Sequence, residues 1–380
     1  MASEREGNWR IMRLGRKVLW PLLLLGVGPA VRLGAATATN HSPEAVWDVS
    51  ARAEVGGGYK HNVLLTSVSP ENSPFVLVSA DVSFIRLSET GSEFTMFFLG
   101  EDTQYTDAPS VGGERFASGT LQYAQPVGGQ DQLALEFSTL YQNQIMDVSD
   151  TETNLSRILV DGVGMALKPR WTHQLSSGWE TRIETFGGPQ LYAAPVDSYW
   201  EAGSRAALAR TYGHKSELTL GGQFAHWIYH DREQNDTEGN PVPNTALTFW
   251  RPEVFGQWRH HWDAQKRWAT TTRLGWLWNL DNGSGYWNYD RLAIGQKVRW
   301  RDSGWEIAAG VKFGWYRYAV QMVGAEHRER IYTTIDVRVE RRLSTRWYFY
   351  AAAGSDWNWS NQSLDQYSDW TAGAGIGAEF

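Results

Sequence analysis

Charged side chains recur at every second position within short apolar segments of this chain, and that spacing decides what they could do. In 331–340 the set Ile331, Thr333, Ile335, Val337 and Val339 alternates with Tyr332, Thr334, Asp336, Arg338 and Glu340. In 305–316 Trp305, Ile307, Ala309, Val311, Phe313 and Trp315 alternate with Glu306, Ala308, Gly310, Lys312, Gly314 and Tyr316. Residues two apart share one face of a strand. The same parity carried along the chain gathers Arg205, Arg259, Arg273, Lys297, Arg299, Lys312 and Arg338 on one side, with Glu184, Glu253, Glu306 and Asp336. Such a wall must be wet or internally paired, because burying an unpaired charge is costly. Its chemistry is that of a hydrated passage, and these eleven residues are the expected pore lining. The plainer reading of any one of them is a cross-strand ion-pair ladder.

A band of Arg259, Arg273, Arg299 and Arg338 facing acids elsewhere would set a transverse field that sorts solutes by charge and dipole. The basic surplus on this face suits anions, while the acidic stretches 147–152 and 231–238 oppose them, so charge preference stays open. Tyr289, Tyr316, Tyr318, Tyr332, Tyr348 and Tyr350 lie beside arginines and could stack on sugar rings, although packing explains tyrosines as well.

Catalytic material is sparse. His226, Tyr229, His230 and Asp231 cluster at a strand-to-loop junction, but no Ser adjoins His230 as a nucleophile. His260 and His261 are adjacent strand residues that point to opposite faces, so they cannot chelate one ion together. The sequence has no Cys, hence no disulfide or thiolate metal site. No metal, no cofactor and no enzymatic activity are expected, and an outer-rim hydrolase is the third-ranked reading.

The elements that must position this wall are strands. From Ala45 onward sixteen segments of strand type are separated alternately by tight turns and longer polar links. The tight turns fall at 88–92, 128–131, 176–178, 212–214, 263–266, 302–304 and 344–346. The other links fall at 63–73, 107–113, 147–157, 194–196, 231–245, 281–286, 320–328 and 359–366. Segments 93–106 and 114–127 carry apolar residues on both faces, and a one-residue register shift would fit them equally.

Tryptophan supplies the scale: there are 21. Trp268 and Trp278, Trp305 and Trp315, and Trp347 and Trp357 each lie ten apart on one face of one segment. Ten residues at about 3.3 Å each, tilted by roughly 40°, span about 25 Å, the height of the apolar band of a membrane barrel. Trp179, Trp262, Trp268, Trp300, Trp305 and Trp347, with Trp171, are expected in a ring beside the tight turns. Trp278, Trp315 and Trp357, with Trp227, Trp250 and Trp287, are expected in a second ring toward the longer links.

The amino-terminal stretch reads as a secretory signal. Arg10, Arg13, Arg16 and Lys17 precede an apolar run from Val18 to Val31, and Ala36-Thr37-Ala38 fits signal-peptidase cleavage after Ala38. Met12 would also begin a conventional signal. The expected organisation is a signal over 1–38, a short periplasmic tail over 39–45 and a barrel over 46–380. The whole chain holds 35 Lys/Arg and 42 Asp/Glu; removing the six and two in residues 1–38 leaves 29 and 40, a net charge of −11. That balance argues against nucleic acid as a partner. A mean hydropathy of −0.44 and the lack of a second long apolar run exclude a helical membrane protein and leave a barrel open, because alternation keeps the average polar.

The last fourteen residues, Tyr367 to Phe380, alternate Trp370, Ala372, Ala374, Ile376, Ala378 and Phe380 with Thr371, Gly373, Gly375, Gly377 and Glu379. This stretch resembles the closing strand of Gram-negative outer-membrane β-barrels. The resemblance makes Phe380 the signal read by the barrel-assembly machinery. Gly56-Gly57-Gly58-Tyr59-Lys60-His61-Asn62 is similar to the Gly-Tyr-x-x-Asn opening of several such families, the porin-2-like barrels among them. The expectation is therefore an all-β, sixteen-stranded antiparallel up-and-down transmembrane barrel with short periplasmic turns and longer extracellular loops. It would sit in the outer membrane against lipid and lipopolysaccharide, as a homo-oligomer or alone, and pass small hydrophilic solutes by diffusion. The alternative is a non-channel barrel serving export or assembly with periplasmic partners.

Overall fold

The computed structural model describes residues 46–88, 91–149, 157–176, 178–213 and 216–380. The expected signal and periplasmic tail lie outside the described residues.

The strands in chain order are β1 (Val46–His61), β2 (Ser73–Leu87), β3 (Glu93–Tyr105), β4 (Gly113–Val127), β5 (Asp131–Asp147), β6 (Arg157–Ser176), β7 (Trp179–Tyr192), β8 (Tyr199–Tyr212) and β9 (Ser216–Tyr229). They continue as β10 (Gln234–Asn235), β11 (Pro241–Val242), β12 (Thr248–His261), β13 (Trp268–Asp281), β14 (Tyr289–Asp302), β15 (Trp305–Val323), β16 (Glu326–Arg342), β17 (Trp347–Ser360) and β18 (Tyr367–Glu379). The two-residue strands β10 and β11 pair only with each other, in the link between β9 and β12. The other sixteen form one closed antiparallel barrel, each pairing with its neighbours in sequence and β1 closing on β18. The expected strand number and fold class are those of the molecule.

Closure is a backbone matter. The β1–β18 ladder runs from Arg52 opposite Glu379 to His61 opposite Trp370. Phe380 extends it: its N–H donates to the Ala51 carbonyl at 2.9 Å, and the Ala51 N–H donates to the Phe380 carbonyl at 3.2 Å. From Ala51 to His61 the seam leaves no strand edge open, which is what allows a sheet to sit in hydrocarbon.

The strands are long because they do more than cross a bilayer. Each has 13 to 20 residues, against the roughly 9 to 11 that a tilted strand needs for the apolar layer. Ser303 (φ 50°) and Gly304 (φ 78°) turn β14 into β15 as a two-residue hairpin with both φ positive, the geometry that matches strand twist. A second two-residue hairpin corrects one expectation. The link expected over 320–328 is strand: Met322 pairs with His327 and Val323 with Glu326, turning at Gly324 (φ 66°). A register irregularity between Arg317 and Met322 breaks the alternation there, which disguises the strand in sequence.

Registers also settle the two ambiguous segments. Leu99 stands in the lateral row Arg52, Asp81, Leu99, Ser118, Leu140, so it shares the charged face. Apolar residues occur on both sides of β3 because part of the inner wall is itself apolar. The opposite face is apolar almost throughout: Leu274, Ile294, Val311, Ile335, Val337 and Ile376 are all exposed. A band of that extent is untenable in water and suited to lipid.

Candidate functional site on the inner wall

Four strands around the seam carry the most connected charges. Arg52 of β1 reaches Glu54 and Glu340, each at 2.6 Å, and Arg338 of β16 reaches Glu54 at 2.5 Å and Glu340 at 2.6 Å. Two cations and two anions thus close a ring across β1 and β16, over the top of β17 and β18. They can meet because the intervening side chains are flat or missing. Tyr348 and Tyr350 lie against the wall over glycines of the neighbouring strands: a Cβ at Gly377 would overlap the Tyr348 ring, and one at Gly56 or Gly375 the Tyr350 hydroxyl. Arg52 covers the Tyr348 ring at 4.4 Å and Arg338 the Tyr350 ring at 4.2 Å.

The expected pore-lining residues fall on consistent lateral rows. Glu184, Arg205, Gln223 and Glu253 are successive partners across β7, β8, β9 and β12. Arg273, Gly295 and Lys312 form a row across β13 to β15, and Thr271, Lys297, Gly310 and Asp336 the next row toward the tight-turn end. Arg299, Ala308 and Arg338 form the row beyond. Arg273 pairs with Glu253 at 3.3 Å, Arg259 with Glu217 at 3.5 Å and Glu306 with Arg301 at 2.6 Å. Arg205 lies over the Phe255 ring at 4.3 Å. The expected transverse band is therefore corrected in part: Arg259, Arg273 and Arg338 are each held by acids on their own stretch of wall, since a nearby carboxylate outcompetes a distant one. Glu217, which also takes Arg182 at 3.3 Å and the Thr219 hydroxyl at 3.0 Å, is a hub that sequence reasoning passed over.

The rows of indoles need two corrections. Trp268 and Trp300 are register partners with ring centroids 6.0 Å apart, and Trp262, Trp278, Trp305, Trp347 and Trp357 are exposed on the apolar side. Trp179 lies under Arg210 at 5.2 Å, and Trp315 pairs with Leu292 on that same side. Trp227 instead faces inward, its Nε1–H donating to Glu201 at 3.0 Å under Arg251 at 3.7 Å. Trp287 is 1% exposed and donates from Nε1 to Asn235 at 2.9 Å. It packs with Tyr229, Leu247 and Phe249 beneath the β9–β12 link. Both indoles satisfy a polar handle while burying a large ring.

The tyrosines are corrected too. Tyr289, Tyr316, Tyr318, Tyr348 and Tyr350 are buried, packed on one another, on arginines or over glycines, so they present no platform to a sugar. The four residues weighed for hydrolysis do not converge: Tyr229 is buried inward, while His226 stacks on Trp250 at 3.9 Å on the apolar side. His260 stacks on Trp258 at 5.2 Å on that side as well. Among the described residues no group of three or more His, Cys, Asp or Glu could hold a metal.

The mouth at the long-link end is crossed by an arm. Residues 144–147 and 157–160 of β5 and β6 pair with each other and with no other strand. The arm reaches β16 and β17: Arg330 donates to Asp147 Oδ2 at 2.7 Å and to Ser149 Oγ at 2.9 Å, and Asn358 donates to Asp147 at 3.1 Å. β16 stands seven strands round the ring from β5. Sixteen strands about 4.8 Å apart and tilted about 40° make a wall about 32 Å across. Two side chains together reach only about 10 Å, so the arm leans in over the lumen. Arg328 ties this contact outward, donating to the Ser149 carbonyl at 3.2 Å and to Gln321 at 2.8 Å while paired with Asp365. Gln321 in turn donates to the Tyr286 carbonyl at 3.0 Å.

A closed sixteen-stranded wall, apolar outside and ionised inside, defines the chain as a β-barrel of the outer-membrane class. No family model matches the chain, and no curated protein matches it in sequence. In fold it is similar to OccAB1 of Acinetobacter baumannii (10% identity, 87% of this chain and 96% of that one, TM-score 0.46). It is similar also to OprB of Pseudomonas putida (9%, 88% and 94%, 0.44). A third is an anion-selective porin of Comamonas acidovorans (10%, 89% and 100%, 0.45).

Proposed function

We propose that this protein is a passive channel of the Gram-negative outer membrane for small hydrophilic solutes. One observation carries the reading. The side chains of Arg259 and Arg273, on the ionised side of a closed wall, are 49% and 50% exposed, so the enclosed space at their level has room for water. Charged groups in a wet enclosure coordinate the passage of ions and polar molecules. The eleven expected lining residues supply the ionised surface, and the indoles on the opposite face, Trp268 and Trp300 among them, anchor the wall at the lipid boundaries. Lipid and lipopolysaccharide are its surroundings, Phe380 is the mark for assembly, and the barrel works alone or as a homo-oligomer.

The arm and the packed links favour a narrow mouth, and they also support a second reading: a barrel closed by its own loops that serves export or assembly. Refolded protein in a planar bilayer separates the two. Discrete ohmic current steps are expected of the channel; a correctly folded barrel that stays silent would exclude it.

A further inference from the structure

Most inner-wall cations of this barrel are neutralised by a neighbour, but Lys297 and Lys312 form no ion pair among the described residues. They are diagonal neighbours on β14 and β15: Lys312 stands opposite Gly295 and Lys297 opposite Gly310. Diagonal inner-face pairs of this kind have Cβ atoms about 7 Å apart. Like charges carried on neighbouring stems repel, and a structure that leaves them adjacent gains when an anion sits between them. Arg273 adds a third cation, in register with Gly295 on the other side, its guanidinium held by Glu253 at 3.3 Å yet half exposed.

The floor between these three is bare. A Cβ at Gly295 would meet nothing within 4 Å, so the wall there opens into space. Lys297, Lys312, Arg273, Arg291 and Tyr332 are among the residues that line a recess of about 520 Å³. Two carboxylates belong to it: Glu253, already committed to Arg273, and Asp336, which leans over Gly310. Four cations against two anions leave the recess positive. It spans two strand spacings, about 10 Å from Arg273 to Lys312, so one oxyanion would occupy one end and an anion with two charged groups would bridge both.

We infer that Arg273, Lys297 and Lys312 form a binding site for small polyvalent oxyanions, phosphorylated or polycarboxylated, on the lumen wall. The inference rests on the channel reading for its physiological sense and names the solute class of that channel. Ammonium and guanidinium heads take phosphate and carboxylate oxygens by charge-assisted hydrogen bonds. Being wet, the site holds its ligand weakly, as a passage requires.

The test uses the folded full-length barrel in two arms. Titration calorimetry with inorganic pyrophosphate and with citrate reads binding without any current, and the two probes separate phosphoryl from carboxyl chemistry. Bilayer recordings read the reversal potential under a salt gradient and the block of current by the same anions. Wild type is expected to bind at least one probe and to favour anions. Lys297→Gln with Lys312→Gln should weaken binding at least fivefold and shift the reversal potential toward cations, while Lys297→Arg with Lys312→Arg should retain both. Equal binding by wild type and the double glutamine variant, or none by either, overturns the site. A barrel that binds but does not conduct keeps the site and removes the channel.

Discussion

Asp147 at the end of β5 and Arg330 on β16 meet at 2.7 Å although 183 residues and almost the full width of the barrel separate their strands. Both side chains are more than nine-tenths buried. Removing one partner of such a pair strands a buried charge and costs about 3 to 5 kcal/mol. Arg330→Met should therefore undock the arm and raise single-channel conductance. Asp147→Asn, which keeps a hydrogen-bond acceptor for Arg330, should do so less. Unchanged conductance in both variants would show that the arm does not obstruct the passage.

The tyrosine and glycine pairs on the seam are a packing device, and they predict a sharp contrast. Gly377→Val puts methyl groups where the Tyr348 ring lies and should destabilise the barrel by about 1 to 3 kcal/mol, the usual range for overpacking. Gly295→Ala, with open space before it, should change little. Urea midpoints of refolded protein in one lipid check both.

Terminal Phe380 has two separable contributions. Its backbone closes the seam with Ala51, which Phe380→Ala preserves, while its ring is the feature proposed above as the mark for assembly. Phe380→Ala should leave the midpoint of the refolded barrel nearly unchanged and lower the amount inserted into cell outer membranes. Equal insertion of wild type and variant would remove the signal role.

The β9–β12 link responds to acid through Asp236. Its Oδ1 accepts the backbone N–H groups of Asn240 and Glu238, each at 2.9 Å, and Asn240 also donates from its side chain. The Asn240 backbone N–H, then its side-chain amide, hold this carboxyl below the ordinary aspartate value. Because the folded link favours the ionised form, its contribution is whole above about pH 3.9 and is lost as pH falls through the depressed value. Amide exchange at Gly239 and Asn240 should accelerate in that acid window, and Asp236→Asn should abolish the dependence.

Local period told most of the fold. Alternation such as that of 331–340 needs only a strand and two unlike sides, so sixteen strands, most of their turns and the parity of Arg338 or Lys312 were legible in sequence. What joins distant strands was not. Nothing near Asp147 announces Arg330, and nothing near Gly377 announces Tyr348; both contacts depend on which strands the closed ring brings together. Trp287 misled because an indole at a strand end looks alike whether lipid or a folded link covers it. At 320–328 a single irregularity cancelled the period and hid a hairpin.

The proposed channel requires water inside the wall and lipid outside it. The chain has no Cys, so single cysteines can report each side by labelling with a membrane-impermeant thiol reagent in lipid vesicles. Arg273→Cys, Lys297→Cys and Lys312→Cys should label readily, whereas Leu274→Cys, Ile294→Cys and Val311→Cys, on the other face of the same three strands, should be protected. Labelling of the two sets at the same rate would contradict it.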